Sequence, residues 1–333
     1  MHYKNYVGID VSKVTIDVFI HGSNQHRQFP NLTRGFDALL KWLALNLPDV
    51  QPGEIHFSFE HTGLYSLPLA AFLEANGLPY AMISALQIKR SLGLVRGKND
   101  KIDAKRIAEY AYLYREKLSL TRLPSLEIIQ LQSLLSLRDR LVRQRGGLEA
   151  TQHEQARFLY KTHCAPDMSD VYEQVIATLK EQIRRIDETM KLIIAHHAEL
   201  KQTFDLITGI KGVGKIVAVY LIVYTHNFTR FANWRKFACY AGIAPFENQS
   251  GSTYLGKTKV SCLANKQIKK MLHLAALSAS RTDAELNAYF VKRVQGGKSK
   301  MATLNIIRNK VVSRVFAVAM RRTPFVDIAK FAA

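Results

Sequence analysis

Cysteine is scarce in this chain. The three present among 333 residues, Cys164, Cys239 and Cys262, are odd in number, far apart and without a CxxC pair. A disulfide framework and a structural zinc site of finger spacing are therefore excluded. Long apolar runs are missing as well: the longest, Ile216 to Tyr224, is about half of what a membrane span requires. Tyr3, Lys4 and Asn5 lead straight into a strand pattern rather than a signal-peptide core. These absences point to a reducing cytoplasm and to no membrane partner. Internal repeats and low-complexity tracts are absent too.

Acidic residues run short only in the last third. Residues 1–200 hold 25 Lys and Arg against 22 Asp and Glu, a net of +3, whereas residues 201–333 hold 22 against 5, a net of +17 out of the total of +20. A one-sided basic field of this size suits a surface that meets nucleic-acid phosphates, where neutralisation releases condensed counterions. The cations are interleaved with an apolar helical pattern, which argues against a polybasic membrane tail.

At this length the chain can hold two or three domains. From Tyr6 to about Ser84, strand patterns (YVGID, TIDVFI, HRQFPN, EIHFSFEH, PYAMIS) alternate with helical ones (FDALLKWLAL, LPLAAFLEANG). Neighbouring hairpin strands followed by β-α-β units predict a mixed sheet flanked by helices. The helical segments SALQIKRSLGL and IDAKRIAEYAYLYREK, separated by the polar loop RGKND, close a first domain at 1–118. Residues 119–200 read as two long amphipathic helices joined around Pro166, with Ile129, Leu131, Leu134, Leu135, Leu137 and Leu141 on one stripe. The pattern leaves open a coiled coil used for dimerisation or a helical hairpin packed on its own chain. Residues 201–333 read as mainly helical, broken by a Gly/Ser/Asn-rich loop at 245–257.

Single acids stand where the apolar strands of the first domain end: Asp10 after YVGI and Glu60 after IHFSF. Side chains at strand ends gather in the crevice where α/β sheets bind ligands. Asp100 and Asp103, three apart at a predicted helix start, share one helical face. Each has a structural role open to it, Asp10 as a turn cap, Asp100 as a helix cap and Glu60 as an ion-pair partner. Together they form a carboxylate set that ionises fully only around a hard divalent cation, Mg²⁺ being the usual one. Such a site activates a nucleophile and stabilises a leaving oxygen at a phosphodiester.

In the basic third, LITGIKGVGKIVAVYLI sets Gly212 and Gly214 between helical segments beside Lys211 and Lys215. That is a helix-hairpin-helix pattern, whose backbone N–H groups at a helix start cradle a phosphate without reading sequence. The loop after it holds the hydroxyls Ser250, Ser252 and Thr253 near Lys257 and Lys259. An exposed hydroxyl near cations is what a phosphoryl-attacking nucleophile needs, although Gly-Ser clusters more commonly mark turns. Lys266, Lys269, Lys270, Arg281, Lys292, Arg293, Lys298 and Lys300 follow on helices and read as a surface that grips phosphates.

With these residues in place the chain resembles the bridge-RNA-guided insertion-sequence transposases, or bridge recombinases, and the related pilin-gene invertases. The resemblance rests on GIDVSK at 8–13, EHTGLY at 60–65, KNDKIDAKRIAEY at 98–110, GIKGVGKIVA at 209–218 and AGIAPFENQSGSTYLGK at 241–257, in that order. It implies a RuvC-type, ribonuclease-H-like α/β domain at 1–118, a coiled-coil region at 119–200 and a mainly α serine transposase domain at 201–333. It further implies that Asp10, Glu60, Asp100 and Asp103 hold Mg²⁺. Ser250 would then be the nucleophile, forming a 5′-phosphoserine link at a site completed by another subunit. Implied partners are target and donor DNA, an element-encoded noncoding bridge RNA whose pairing supplies sequence choice, and further copies of the chain, a dimer assembling to a tetramer on DNA. The implied setting is the bacterial cytoplasm, at the nucleoid.

Three other classes compete with this reading. A RuvC-type metal-dependent endonuclease acting on branched DNA would use water in place of Ser250. A sugar-kinase-like ATPase, suggested by GIDVSK before a hairpin, requires a second glycine-rich phosphate loop and a later acidic base, and neither is in the sequence. An architectural DNA binder explains the basic third but not the four acids.

Overall fold

The computed structural model describes residues 3–91, 99–160, 167–250 and 254–326. The expected turn at Pro166 and most of the RGKND loop lie outside them. The chain forms two compact units, Met1–Leu123 and Pro124–Ala333.

The first unit opens with a meander of three strands, β1 (Asn5–Val11), β2 (Thr15–Ile20) and β3 (His26–Pro30), followed by helix α1 (Thr33–Asn46). Strand β4 (Ile55–Glu60), helix α2 (Leu67–Ala75) and strand β5 (Tyr80–Ile83) come next, then helices α3 (Ala85–Ser91) and α4 (Asp100–Leu113). The sheet order is β3-β2-β1-β4-β5, with β1-β2 and β2-β3 antiparallel and β1-β4 and β4-β5 parallel. This is the mixed sheet that the alternating pattern predicts.

Both faces of the sheet are covered, and the period-two alternation of each strand decides which residues go where. Val7, Ile9 and Val11 of β1, with Ile16, Val18, Ile20, Phe57 and Phe59, form one core with Phe36, Leu39, Trp42 and Leu43 of α1 and Leu69, Ala70 and Leu73 of α2. On the other face Phe19 packs with Ala104 and Ala108 of α4, and Ala81 and Ile83 with Ile107 and Tyr110. Small residues let α4 lie flat on the strands. A Cβ on Gly8 would fall 2.3 Å from both the Ala104 carbonyl oxygen and the Ala108 backbone nitrogen.

The second unit begins with two long helices, α5 (Leu126–Gln155) and α6 (Ser169–His196). They run antiparallel within the one chain. Arg138 Nε donates to Asp187 Oδ1 at 2.6 Å, and Lys180 Nζ lies 3.6 Å from Glu149 Oε1. Ile128, Leu131 and Leu135 of α5 and Ile186, Met190 and Ile194 of α6 belong to the same core as the helices that follow. The sequence stripe is corrected in detail: Ile128 rather than Ile129 is fully buried, and Leu137 faces outward at 47% exposure.

Helices α7 (Ala198–Thr208), α8 (Lys215–Thr225) and α9 (Trp234–Tyr240) come next. The long apolar run is α8, buried from Val217 to Val223. The segment read as a loop at 245–257 is instead a β-hairpin, β6 (Pro245–Ser250) and β7 (Tyr254–Val260), with Ser250 paired to Tyr254. Tyr254, Gly256, Thr258 and Val260 alternate with Leu255, Lys257 and Lys259 along β7, so Gly256 sits inside a strand, paired with Asn248, rather than in a turn. Helices α10 (Lys266–Thr282), α11 (Ala284–Gln295) and α12 (Lys300–Arg321) complete the fold. Ile268, Met271, Leu272, Ala275, Ala276 and Ala279 give α10 one buried face at helical spacing. Among the described residues no helix is long and apolar enough to cross a membrane.

Candidate active site and nucleic-acid surface

The four acids singled out from the sequence share one end of the sheet face that α4 covers. Tyr6, Gly8 and Asp10 point to that face from β1, and His56, Ser58 and Glu60 from β4. The parallel pairing of Ile9 with Phe59 sets Asp10 beside Glu60 at the ends of the two strands. Because Gly8 sits under Ala104 and Ala108, the preceding turn of α4, with Asp100 and Asp103, comes over Asp10. Asn99, not Asp100, is the cap of α4, its side chain accepting from Ile102 N at 2.7 Å. Asp100 is thereby left exposed on the first turn.

Electrostatics registers the crowding. Burial, and after it the charges of Asp103, Asp100, Glu60 and Asp17, push the Asp10 carboxyl up from 3.8 to about 6. Desolvation and like charge both disfavour the ionised form. Arg106 relieves part of the repulsion, its Nη1 donating to Asp103 Oδ1 at 2.8 Å. Among the described residues no three acids, histidines or cysteines already stand in a metal-ligating arrangement.

Asp17 belongs to this cluster too, although it stands at no strand end. It faces Asp10 across the β1-β2 pair, is 5% exposed, and accepts from His26 Nε2 at 2.8 Å and Gln28 Nε2 at 2.9 Å. The signal for it in the sequence is an acid in the middle of the apolar strand TIDVFI.

Two known family profiles cover most of the chain: a DEDD transposase profile of the IS110 type over residues 7–160, and the transposase profile of the IS116/IS110/IS902 family over residues 204–291. The chain carries IS110-family transposase domains. It is 28% identical over 328 residues to the pilin gene-inverting proteins of Moraxella lacunata and Moraxella bovis, covering 97% of this chain and 98% of each relative. It is also 25% identical over 147 residues to an uncharacterized insertion element IS110 protein of Streptomyces coelicolor, covering 43% of this chain and 36% of that relative. The protein is an enzyme of the transposase and recombinase class that acts on DNA, and its DEDD transposase domain points to use of a divalent metal.

In this transposase the basic candidates fall on several elements. Gly212 takes a left-handed conformation, φ +92°, and a Cβ there would meet the Ala275 carbonyl oxygen at 2.6 Å, so the turn before α8 is pressed against α10. Gly214 caps α8, and Gly214 and Lys215 are exposed at its start. Lys211 precedes them, half-buried. Lys266, Lys269 and Lys270 occupy the first turns of α10, off its buried face, where Asn265 caps the helix by accepting from Gln267 N and Ile268 N. Three cations at the positive end of a helix dipole oppose it, an arrangement that a phosphate relieves. Lys259 is exposed on β7. The side chains of Ser250 and Lys257, and the whole of Ser252 and Thr253, lie outside the described residues.

Proposed function

We propose that this enzyme is an RNA-guided transposase that cuts and rejoins DNA through Ser250, assisted by Mg²⁺ held on Asp10, Glu60, Asp100 and Asp103. The observation that carries the metal half is the gathering of strand-end and helix-start carboxylates under one end of α4. In chain order they read D, E, D, D, the letters of the matching transposase domain. The meander followed by parallel strands, with acids at the ends of β1 and β4, supports a RuvC-type fold for this unit.

The donor set fits a hard cation, because every donor is a carboxylate oxygen and the repulsion that raises Asp10 is what a bound cation removes. When bound, Mg²⁺ would supply Lewis-acid stabilisation of the phosphodiester oxygens. Arg106 would hold Asp103 in position, and Asp17, tied to His26 and Gln28, would fix the side of the cluster facing β2.

Ser250 Oγ would attack a DNA phosphorus, giving its proton to a base, while the P–O3′ bond breaks and the 3′ oxygen takes a proton. One phosphodiester becomes one phosphoserine ester, so reversal with a different 3′-hydroxyl rejoins the strands. The place of Ser250 at the last position of β6, paired with Tyr254 of β7, supports this role. Lys215, Lys259, Lys266, Lys269 and Lys270, with Lys211, Lys257 and the backbone at Gly212 and Gly214, would grip phosphates of DNA or of the guide RNA. Exposed Val171 and Val175, one turn apart on α6, with Leu137 on α5, support assembly of several copies through the helical hairpin.

The test is incubation with DNA, Mg²⁺ and RNA transcribed from the flanks of the gene, followed by denaturing electrophoresis for a covalent adduct. The native enzyme is expected to give a serine-linked adduct that requires the RNA, and Ser250→Ala to lose both adduct and cleavage. If Ser250→Ala still cleaves, water is the nucleophile and the enzyme is a hydrolytic RuvC-type endonuclease.

A further inference from the structure

The same sheet face that carries the acids at one end carries an aromatic cavity at the other. Tyr6 and Asp10 lie four residues apart on β1, roughly 13 Å along the strand. The cavity, of about 310 Å³, is lined by Tyr3, Tyr6, His56, Arg115, Glu116, Leu118 and Leu120. That is near the lower end of the ~300–1,000 Å³ of small-molecule sites, enough for one planar ring system with its sugar and too small for a duplex.

Its floor is polar, uncharged and incompletely satisfied. His56 is 2% exposed and Tyr6 4%, yet neither His56 Nε2 nor Tyr6 Oη has a hydrogen-bond partner among the described residues. Nδ1 of His56 is engaged by Ser58 Oγ at 3.1 Å, which leaves Nε2 as the ring nitrogen without a partner. A buried polar atom without a partner costs about 1–3 kcal/mol, so two in one cavity mark a place where something else supplies the partners. Burial pushes His56 down to about 4, so its ring is neutral and suits a neutral hydrogen-bonding edge better than an anion.

The Tyr3 ring packs against those of His56 and Tyr6, with centres 5.1 Å and 6.4 Å away, so the three rings form one aromatic wall. At the rim, Arg115 stacks its guanidinium 4.6 Å over Tyr112 and donates Nη1 to the Tyr112 carbonyl at 2.8 Å. A guanidinium has five N–H donors, so this pinned one retains several for an anion outside the cavity. Flat apolar walls, a neutral hydrogen-bonding floor and a cation at the mouth match the layout of a nucleotide, with the base inward and the phosphate outward.

We propose that this cavity captures one unpaired nucleobase of a bound DNA or RNA strand, stacked on Tyr3, with its polar edge on His56 Nε2 and Tyr6 Oη and its phosphate on Arg115. The proposal rests on the chain acting on DNA, but not on Ser250 as nucleophile or on the carboxylates as metal ligands. It gives the first unit a strand-holding site of its own, at the end of the sheet remote from the acids.

The experiment uses the full chain with single-stranded DNA, and separately RNA, carrying the fluorescent adenine analogue 2-aminopurine at one position at a time. Gel shift of the same strands measures overall binding independently. One position is expected to show strong quenching on binding. Tyr3→Ala and Arg115→Ala, both outside the buried core, should abolish that signal while total affinity stays within about threefold, because the basic second unit supplies most of it. Tyr6→Phe should weaken the signal several-fold without lowering the melting temperature. The DNA and RNA arms assign the strand that the cavity serves. A bound strand with no quenched position, quenching indifferent to Tyr3→Ala, or capture of free AMP without any strand signal would each overturn the proposal. Failure of the chain to bind any strand would overturn the underlying assignment to DNA as well.

Discussion

Gly8 and Ala108 meet where β1 passes beneath α4, so closely that a methyl group on Gly8 would lie 2.3 Å from the Ala108 nitrogen. Both neighbouring atoms on α4 are backbone, so nothing flexible can give way. Gly8→Ala therefore has to lift the helix that brings Asp100 and Asp103 over Asp10. The expected result is a loss of about 1–3 kcal/mol in a urea titration, with metal-dependent DNA cleavage lost in protein that still folds. Cleavage at the native rate by a folded Gly8→Ala variant would show that the seat of α4 does not set the acids.

The acid cluster makes stability depend on pH in a defined direction. Asp10 is raised from 3.8 in the unfolded chain to about 6 in the fold. The folded state thus holds a proton that the unfolded state releases. Its contribution is complete below 3.8 and gone above about 6. His56 and His226, both lowered by burial from 6.5 to about 4, act in the same window with opposite sign, their contribution being lost as pH falls. Comparing native protein with Asp10→Asn at each pH cancels the histidines. Without divalent metal, Asp10→Asn is expected to gain in melting temperature relative to the native protein as pH rises from 4 to 7. Adding Mg²⁺ at pH 7 should stabilise the native protein and not the variant.

The lysines at the start of α10 are expected to act through phosphates alone. Replacing Lys266, Lys269 and Lys270 by Ala should weaken DNA binding about equally for all sequences and lower the slope of log affinity against log salt by roughly 0.9 for each phosphate that is no longer neutralised. Fluorescence anisotropy over a potassium chloride series measures both. An unchanged slope would mean that these side chains do not meet the backbone.

A half-buried polar junction ties three helices of the second unit together. Tyr220 of α8 donates its hydroxyl to Asp139 of α5 at 2.5 Å, and Gln267 of α10 donates to Asp139 and to the Tyr220 oxygen. Burial and the neighbouring carboxylate both raise the Tyr220 hydroxyl, which remains a proton donor. Asp139→Ala leaves that hydroxyl without its acceptor and is expected to cost about 1–3 kcal/mol, read by chemical denaturation. A cost near zero would mean that water replaces the carboxylate.

Much of the first unit is legible in the sequence because its signals are local. Alternation in YVGID, TIDVFI and EIHFSFEH marks strands, and the spacing of Asp100 and Asp103 marks one helical face, without reference to any other part of the chain. Asp17 is harder to find because it lies mid-strand, where only the pairing register shows that it faces Asp10. The hairpin at 245–260 is hard to find because Ser250, Gly251, Ser252 and Gly256 read as turn residues, although Ser250 and Gly256 lie in paired strands. On α5 Leu131 and Leu135 are buried as the pattern predicts and Ile128 takes the place of Ile129, because 128, 131 and 135 fall on one helical line and 129 does not.

The sequence alone determined the order of strands and helices in the first unit and the concentration of positive charge in the last third, and it singled out four of the five clustered acids, because periodicity, charge and residue chemistry are properties of short segments. Only the tertiary structure decided that α4 lies over β1 close enough to need Gly8, that Asp10 shares its end of the sheet with four other carboxylates, and that Tyr3, Tyr6, His56 and Arg115 enclose a cavity at the opposite end. Those relationships join residues up to about a hundred positions apart. They come from sheet register and helix seating, which are settled by packing of the whole unit rather than by any one stretch of chain.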